Sequence, residues 1–125
     1  MEAGMRIIFR GDNMCTVSQL QIISDCISKE YRRVYGADIA DMYLFGSYAR
    51  NEETDQSDID YAAIVHGERP ELQERLKKVW NAAADIGLQY DVVVSPTVIP
   101  YDEFQKYKEI LPYYRNISIE GKHIG

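Results

Sequence analysis

The chain has 125 residues and a net charge of −6, so we expect one domain over residues 1–125 and no basic field that would attract a nucleic-acid partner. Hydrophobic residues make up 46% of the chain, which is enough for a core without disulfides or a structural metal site. Cys15 and Cys26 are expected to stay reduced. No stretch approaches the roughly 18 apolar residues of a membrane span. These features predict a soluble cytoplasmic protein with no membrane partner.

Three elements are predicted in the first half of the chain. A helix begins after Thr16 and ends at Gly36, because apolar residues recur at steps of three and four and Thr16-x-x-Gln19 is a capping box. Short strands follow over residues 41–45 and 58–65, with a polar loop between them.

The next predicted helix opens at Pro70 and ends at Gly87, and its apolar stripe includes Trp80. A third strand is predicted over residues 89–94, which are rich in β-branched side chains. Both elements are bounded by residues that usually interrupt regular structure.

The last predicted helix opens at Pro100 and is kinked or stopped at Pro112. Its tyrosines, with those that follow up to Tyr114, indicate packing in a core or at a subunit interface rather than a base-stacking platform. The order of helices and strands predicts an α+β or α/β sandwich, a small sheet covered by helices on one face.

A glycine and a serine stand where the first predicted strand ends. If Ser47 begins a helical turn, its unpaired N–H groups form a site for an anion such as phosphate, and Gly46 lets the backbone approach that anion closely. An ordinary turn with a serine cap explains the same two residues equally well. Arg50 is either a phosphate partner or a surface charge near Glu52.

Asp58 and Asp60 lie two residues apart on the second predicted strand, so both side chains project from one face. Two carboxylates about 4–6 Å apart repel each other by roughly 3–4 kcal/mol at an effective dielectric of about 20. A divalent cation removes this repulsion, and hard oxygen ligands select Mg²⁺ or Mn²⁺. The alternative is a pair of solvated carboxylates at a strand end.

Asp91 stands near the start of the third predicted strand, ahead of an apolar run. A buried, unpaired carboxylate is costly there, so Asp91 needs either solvent or a charge partner, and a surface aspartate is the simpler explanation. If the second and third strands are neighbours, three carboxylates converge beside the Gly46–Ser47 turn. That arrangement suits phosphoryl or nucleotidyl transfer with two metal ions.

The segments Leu44–Arg50, Ser57–Asp60 and Tyr90–Val93 resemble, in this order, the minimal nucleotidyltransferase family of the DNA polymerase β superfamily. The likeness extends from about Ile39 to Ser95. It implies an α+β nucleotidyltransferase fold with a small mixed sheet packed on one face by helices. It also implies ATP as substrate and Mg²⁺ as cofactor, two ions, with Mn²⁺ as a substitute.

The resemblance assigns roles to matching positions. Gly46 and Ser47 would hold the β- and γ-phosphates, and Asp58 and Asp60 would bind the metal ions. Asp91 would be the third metal ligand and would assist in deprotonating the acceptor hydroxyl.

Two neighbouring residues complete this assignment. Arg50 would contact the nucleotide. Asn51 stands where the family usually has glycine, and because Asn tolerates positive φ better than most residues, we expect the turn to be kept.

Small stand-alone members of the family resemble the antitoxins of HEPN/MNT toxin–antitoxin systems, and some transfer AMP to a tyrosine of a helical HEPN-domain ribonuclease toxin. The resemblance therefore implies a protein adenylyltransferase with a HEPN-domain partner, with a homo-oligomer as a further assembly. Two alternatives stay open: transfer to a small hydroxylated molecule such as an aminoglycoside, and a non-catalytic module that blocks its partner by occlusion. A structural domain with chance aspartates would show no stabilisation by ATP and Mg²⁺.

Overall fold

The computed structural model describes residues 15–125, which form four helices and four strands. In chain order these are α1 (Val17–Tyr35), β1 (Ile39–Phe45), β2 (Ile59–Val65), α2 (Arg69–Tyr90), β3 (Val94–Pro100), α3 (Tyr101–Tyr107), α4 (Pro112–Glu120) and β4 (Lys122–His123). The stretch before residue 15, where the sequence predicted no element, lies outside the described residues. No helix within residues 15–125 is long and apolar enough to cross a membrane.

The strands form one mixed sheet in the order β3-β2-β1-β4. β1 runs antiparallel to β2 and β4, whereas β2 and β3 are parallel. The end of β1 and the starts of β2 and β3 therefore meet at one end of the sheet, which we call the site end. There Phe45 pairs with Asp60, and Asp60 pairs with Ser95.

The long helices α1 and α2 pack on one face of the sheet. Ile23 of α1 and Leu72 of α2 are fully buried in one core with Ile59 and Tyr61. Ile59 and Tyr61 lie two residues apart on β2 and therefore face the same side of the sheet. Two side-chain hydroxyls fix this layer: Tyr61 shares a hydrogen bond of 2.7 Å with Ser24, and Tyr31 donates one of 2.8 Å to the Thr97 carbonyl. This layer closes the main core.

The short helices α3 and α4 pack on the opposite face. Phe104 and Ile117 cover Ala62 and Ile64, the residues of β2 that alternate with the main-core set. The α+β class and the small mixed sheet are confirmed, and this second helical layer is an addition that the sequence did not predict.

The first predicted helix is confirmed at both ends. The Thr16 hydroxyl accepts a hydrogen bond from the Gln19 N–H, the Gln19 side chain accepts one from the Thr16 N–H, and Gly36 ends the helix at φ 58°. The predicted strands over 41–45 and 58–65 correspond to β1 and β2 within two residues at each end. Local signals were sufficient for these elements.

The third strand was placed wrongly. Residues 89 and 90 belong to α2, and β3 begins only at Val94. Gly87 does not end the helix: a Cβ there would lie 2.6 Å from the Val92 carbonyl oxygen, so the glycine makes room for the returning chain. β3 contains two prolines, which is tolerated because it is an edge strand paired only with β2.

The final predicted helix is divided in two. α3 ends at Tyr107, and Pro112 occupies the first turn of α4, where a missing N–H costs nothing. The break turns α4 back over the sheet beside β1 and brings its first residues to the site end.

Candidate active site

The turn after β1 contains backbone donors that have no partner among the described residues. Gly46 adopts φ 76°, and its carbonyl accepts hydrogen bonds from the N–H groups of Ala49 at 3.1 Å and Arg50 at 3.2 Å. Within residues 15–125 the N–H groups of Ser47 and Tyr48 donate no hydrogen bond. The turn therefore presents two donors of the kind that bind phosphate oxygens.

The turn lies directly against Asp60. A Cβ built on Gly46 would overlap the Oδ2 atom of Asp60 and lie 3.3 Å from its Cγ atom. Only glycine provides both the positive φ and the space at this position. An anion on the turn and a cation on the carboxylate would thus be neighbours.

The loop that follows keeps its turn without a glycine. Asn51 adopts φ 57°, in the left-handed region that Asn occupies more readily than most residues. The expectation that the turn is kept is confirmed.

Asp58 and Asp60 lie together at the start of β2, Asp58 exposed and Asp60 half-buried. Burial is the main cause that raises the pKa of Asp60, the charge of Asp58 raises it further, and Arg50 partly opposes both. The pair fits a Mg²⁺ ion, because Mg²⁺ commonly takes one or two carboxylates and completes its shell with phosphate oxygens and water. A bound cation would relieve the repulsion between the two carboxylates.

Arg50 is engaged by carboxylates. Its guanidinium contacts Glu52 at 2.9 Å and Glu120, at the end of α4, at 3.4 Å. Its influence on Asp60 places it near the acidic pair, and its contact with nucleotide stays a prediction.

Asp91 is exposed and ends α2 in a left-handed conformation, φ 56°, rather than starting a strand. The β3 residue beside Asp60 is instead Ser95. Among the described residues no three His, Cys, Asp or Glu side chains are grouped closely enough to hold a metal ion. The structure brings two of the three predicted carboxylates together, and the third does not join them in a single cluster.

Asp91 and Asp58 nevertheless share a cavity of about 640 Å³ at the site end. Its walls are the loop 55–58, the second half of α2 and residues 91–94. Trp80 lines it, which explains why a side chain of the predicted buried stripe is 46% exposed. The cavity has the size of a small-molecule or side-chain pocket.

The aromatic pair of Phe45 and Tyr113 lies beside Asp60, whereas the sequence indicated only a packing role for the tyrosines up to Tyr114. Tyr113, in the first turn of α4, packs edge-on against Phe45 with ring centroids 5.7 Å apart and stays 48% exposed. Burial raises the pKa of Tyr113, the Thr97 side chain lowers it and the Asp60 carboxylate raises it. The local pattern marks the tyrosines but not their neighbours, because the position of Tyr113 depends on α4 folding over the second face.

Comparisons with known proteins show a family and a shared fold. A family model described as a nucleotidyltransferase domain matches residues 22–123. "Putative protein adenylyltransferase MJ0141" of Methanocaldococcus jannaschii is 34% identical over 76 residues, which are 58% of this chain and 75% of that protein.

Two solved structures share the fold. A chain in the crystal structure of a toxin–antitoxin with AMP-PNP superposes with a TM-score of 0.54 at 20% identity, covering 80% of this chain and 70% of that one. A chain in a crystal structure of a mutant of the toxin–antitoxin MntA-HpeT gives 0.50 at 18% identity, with the same coverage.

Proposed function

This chain belongs to the nucleotidyltransferase domain family and is a nucleotidyltransferase, and we propose that it moves AMP from ATP to a hydroxyl group of a partner protein in a Mg²⁺-dependent reaction. The observation that carries this proposal is the contact between the Gly46 turn and Asp60. This contact supports the proposal because a phosphate bound by the turn and a metal ion bound by the carboxylate would then be neighbours, the pairing that nucleotidyl transfer requires.

The triphosphate would be held by the turn. The N–H groups of Ser47 and Tyr48 would donate to its β- and γ-phosphates, and the missing Cβ of Gly46 lets Asp60 lie against the turn, so that a cation on Asp60 would face these phosphates. Asp58 and Asp60 would hold Mg²⁺, which stabilises the charge that develops on the reacting phosphate oxygens.

The order of strands supports one direction of attack. Pyrophosphate would leave on the β1 side, where the Gly46–Ser47 turn lies, with the α-phosphate beside the acidic pair of β2. In-line displacement then requires the acceptor hydroxyl to enter from the β3 side. The cavity shared by Asp58 and Asp91 opens there.

The covalent step forms one bond, breaks one bond and transfers one proton. The acceptor oxygen forms a bond to the α-phosphorus, the bond from that phosphorus to pyrophosphate breaks, and the acceptor proton passes to the Asp91 carboxylate. This assigns Asp91 to proton transfer at the acceptor side, a role that fits its exposed position in the cavity wall better than a role as third metal ligand.

For the acceptor we propose a helical HEPN-domain ribonuclease toxin, with this chain as its antitoxin. A relative named for protein adenylyltransferase activity and a shared fold with chains of toxin–antitoxin crystal structures support this choice. The cytoplasm, which supplies ATP and keeps the free Cys15 and Cys26 reduced, is the compartment in which we expect the reaction.

The test is transfer of label from α-labelled ATP to the protein encoded beside this one, with Mg²⁺ present. We expect label on that protein, and loss of transfer in Asp91→Asn with ATP affinity unchanged. Label on a small hydroxylated compound instead of on protein would replace the proposal with small-molecule modification.

A second experiment distinguishes catalysis from neutralisation of the partner by occlusion. If Asp60→Asn binds the partner normally and still neutralises it, the chain acts without chemistry and the adenylyltransferase proposal is wrong. If neutralisation is lost while partner binding is kept, the reaction is required.

A further inference from the structure

We propose that Tyr113, with Phe45 behind it, forms an aromatic wall on which the nucleoside of the donor triphosphate stacks. This inference rests on the proposed function, because it places the donor nucleotide at the Gly46 turn and Asp60. It names the part of the site that recognises the nucleoside rather than the phosphates.

The register of the sheet fixes where this wall stands. Phe45 and Asp60 are paired across antiparallel strands, so their side chains project from the same face with Cβ atoms about 4.5–5.5 Å apart. That face is the one covered farther along by α3 and α4, since Phe45 packs against the smaller core with Ala62 and Ile64. A phosphate bound beside Asp60 therefore has the aromatic pair as its neighbour on the sheet.

The Tyr113 ring is held in place yet accessible. It contacts Phe45 edge-on at 87° and the Tyr114 ring at 5.8 Å between centroids, while Pro112 fixes the backbone at the start of α4. Almost half of its surface, 48%, remains exposed. An aromatic ring held this way loses little conformational freedom when a base stacks on it, which is the property of a stacking platform.

Trp80 is the competing platform at the site end, and its surroundings argue against it. The cavity that it lines is the one through which the acceptor hydroxyl would enter, so a base stacked on Trp80 would occupy the path of the acceptor. Its helix packs on the face opposite to that of the Asp60 side chain. The side of the sheet that carries Asp60 therefore favours Tyr113 over Trp80 as the surface for the nucleoside.

The experiment measures the dissociation constants of ATP and of inorganic tripolyphosphate by calorimetry, both in the presence of Mg²⁺. Tyr113→Ala is expected to weaken ATP binding by about 5- to 150-fold, the range for loss of one base–aromatic stack, and to leave tripolyphosphate binding unchanged. Tyr113→Phe keeps the ring and should bind both ligands as the wild type does. Trp80→Ala is the matched aromatic control and should also be unchanged.

Three results would overturn the inference: unchanged ATP binding in Tyr113→Ala, equal losses for ATP and tripolyphosphate, or a larger loss of ATP binding in Trp80→Ala. Tyr113→Leu, which keeps an apolar contact with Phe45 but has no aromatic face, replaces Tyr113→Ala if that variant unfolds, and the same results apply to it. If the wild type binds ATP through Tyr113 but transfers no label to any protein, the stacking site stands and the proposed function fails.

Discussion

The two faces of β2 differ in how completely they are covered. On the α1/α2 face, Ile59, Tyr61 and Ala63 are fully buried from the start of the strand onward. On the α3/α4 face, Ala62 is equally buried, but Asp60 at the site end is only half-covered. One strand therefore supplies the main core with one set of residues, and the alternating set supplies Asp60 to the candidate active site.

This difference separates stability from chemistry. The α1/α2 face, which we call the closed face, stabilises the fold by burying apolar surface. Each Å² of apolar surface removed from water contributes roughly 25 cal/mol to the free energy of unfolding. On the α3/α4 face, the open face, burial and then the charge of Asp58 raise the pKa of Asp60, and both oppose folding when no cation is bound. Changes on the first face should alter unfolding, and changes on the second should alter nucleotide transfer.

The largest expected effect is on the closed face. Leu72→Ala removes a fully buried side chain from the main core and should lower the free energy of unfolding by about 2–5 kcal/mol, measured by urea denaturation. Leu88→Ala, in the same helix at a position 84% exposed, is the matched control and should change stability by less than about 0.5 kcal/mol. Equal losses in the two variants would show that the α1/α2 face is not the main source of stability.

The next effect is on the open face. Asp60→Asn should lower nucleotide transfer at least about 100-fold, some 2.7 kcal/mol of transition-state stabilisation, because one charged ligand of the metal is lost. The same change should raise the melting temperature of the ligand-free protein, since it removes the repulsion from Asp58. Transfer of labelled AMP and thermal unfolding measure the two effects, and Asp85→Asn, an exposed change on α2, is the control. A stable but fully active Asp60→Asn variant would contradict the assignment of the site.

A smaller effect is expected from the glycine between the two regions. Gly46→Ala should destabilise the protein by about 1–2 kcal/mol, because of its φ of 76°, and should also weaken ATP binding, because the new Cβ displaces Asp60. Gly36→Ala introduces strain at φ 58° but meets no atom within 4 Å, so it should lose stability and keep ATP affinity. Equal ATP affinity in the two variants would show that contact between the turn and Asp60 has no part in binding.

The smallest expected effect is the pH dependence of the acidic pair. Because the folded protein raises the pKa of Asp60 above its ordinary value of 3.8, the native state binds this proton more tightly than the unfolded state does. The contribution of Asp60 to stability is therefore present below that value and is lost as pH rises through the raised pKa. The stability gained by Asp60→Asn over the wild type should grow from near zero in acid toward neutral pH, measured by urea denaturation without Mg²⁺. A gain that is constant with pH would assign it to packing instead.

Some elements could be predicted because their signals are local. The capping box of Thr16 and Gln19 and the stop at Gly36 mark α1 within its own sequence. The two-residue spacing of Asp58 and Asp60 brings both carboxylates to the start of β2 whatever surrounds the strand.

Other elements could not be predicted, because similar local signals have different causes in the folded chain. Gly87 reads as a helix stop, but its lack of a Cβ allows the Val92 carbonyl to approach α2. The prolines at 96 and 100 argue against a strand, yet β3 lies at the edge of the sheet and needs fewer N–H groups. These two signals together shifted the third strand and placed Asp91 on it.

The sequence by itself determined the family, the order of the turn and its acidic pair, and the amphipathic helices that seal one face. Only the tertiary structure decided that Asp91 stands in a cavity wall at a helix end, and that Tyr113 reaches the open face beside Asp60. The physical reason is the distance along the chain over which each interaction acts. Helix caps, strand alternation and charge repulsion act between residues close in sequence, whereas the positions of Asp91 and Tyr113 depend on packing between segments far apart in the chain.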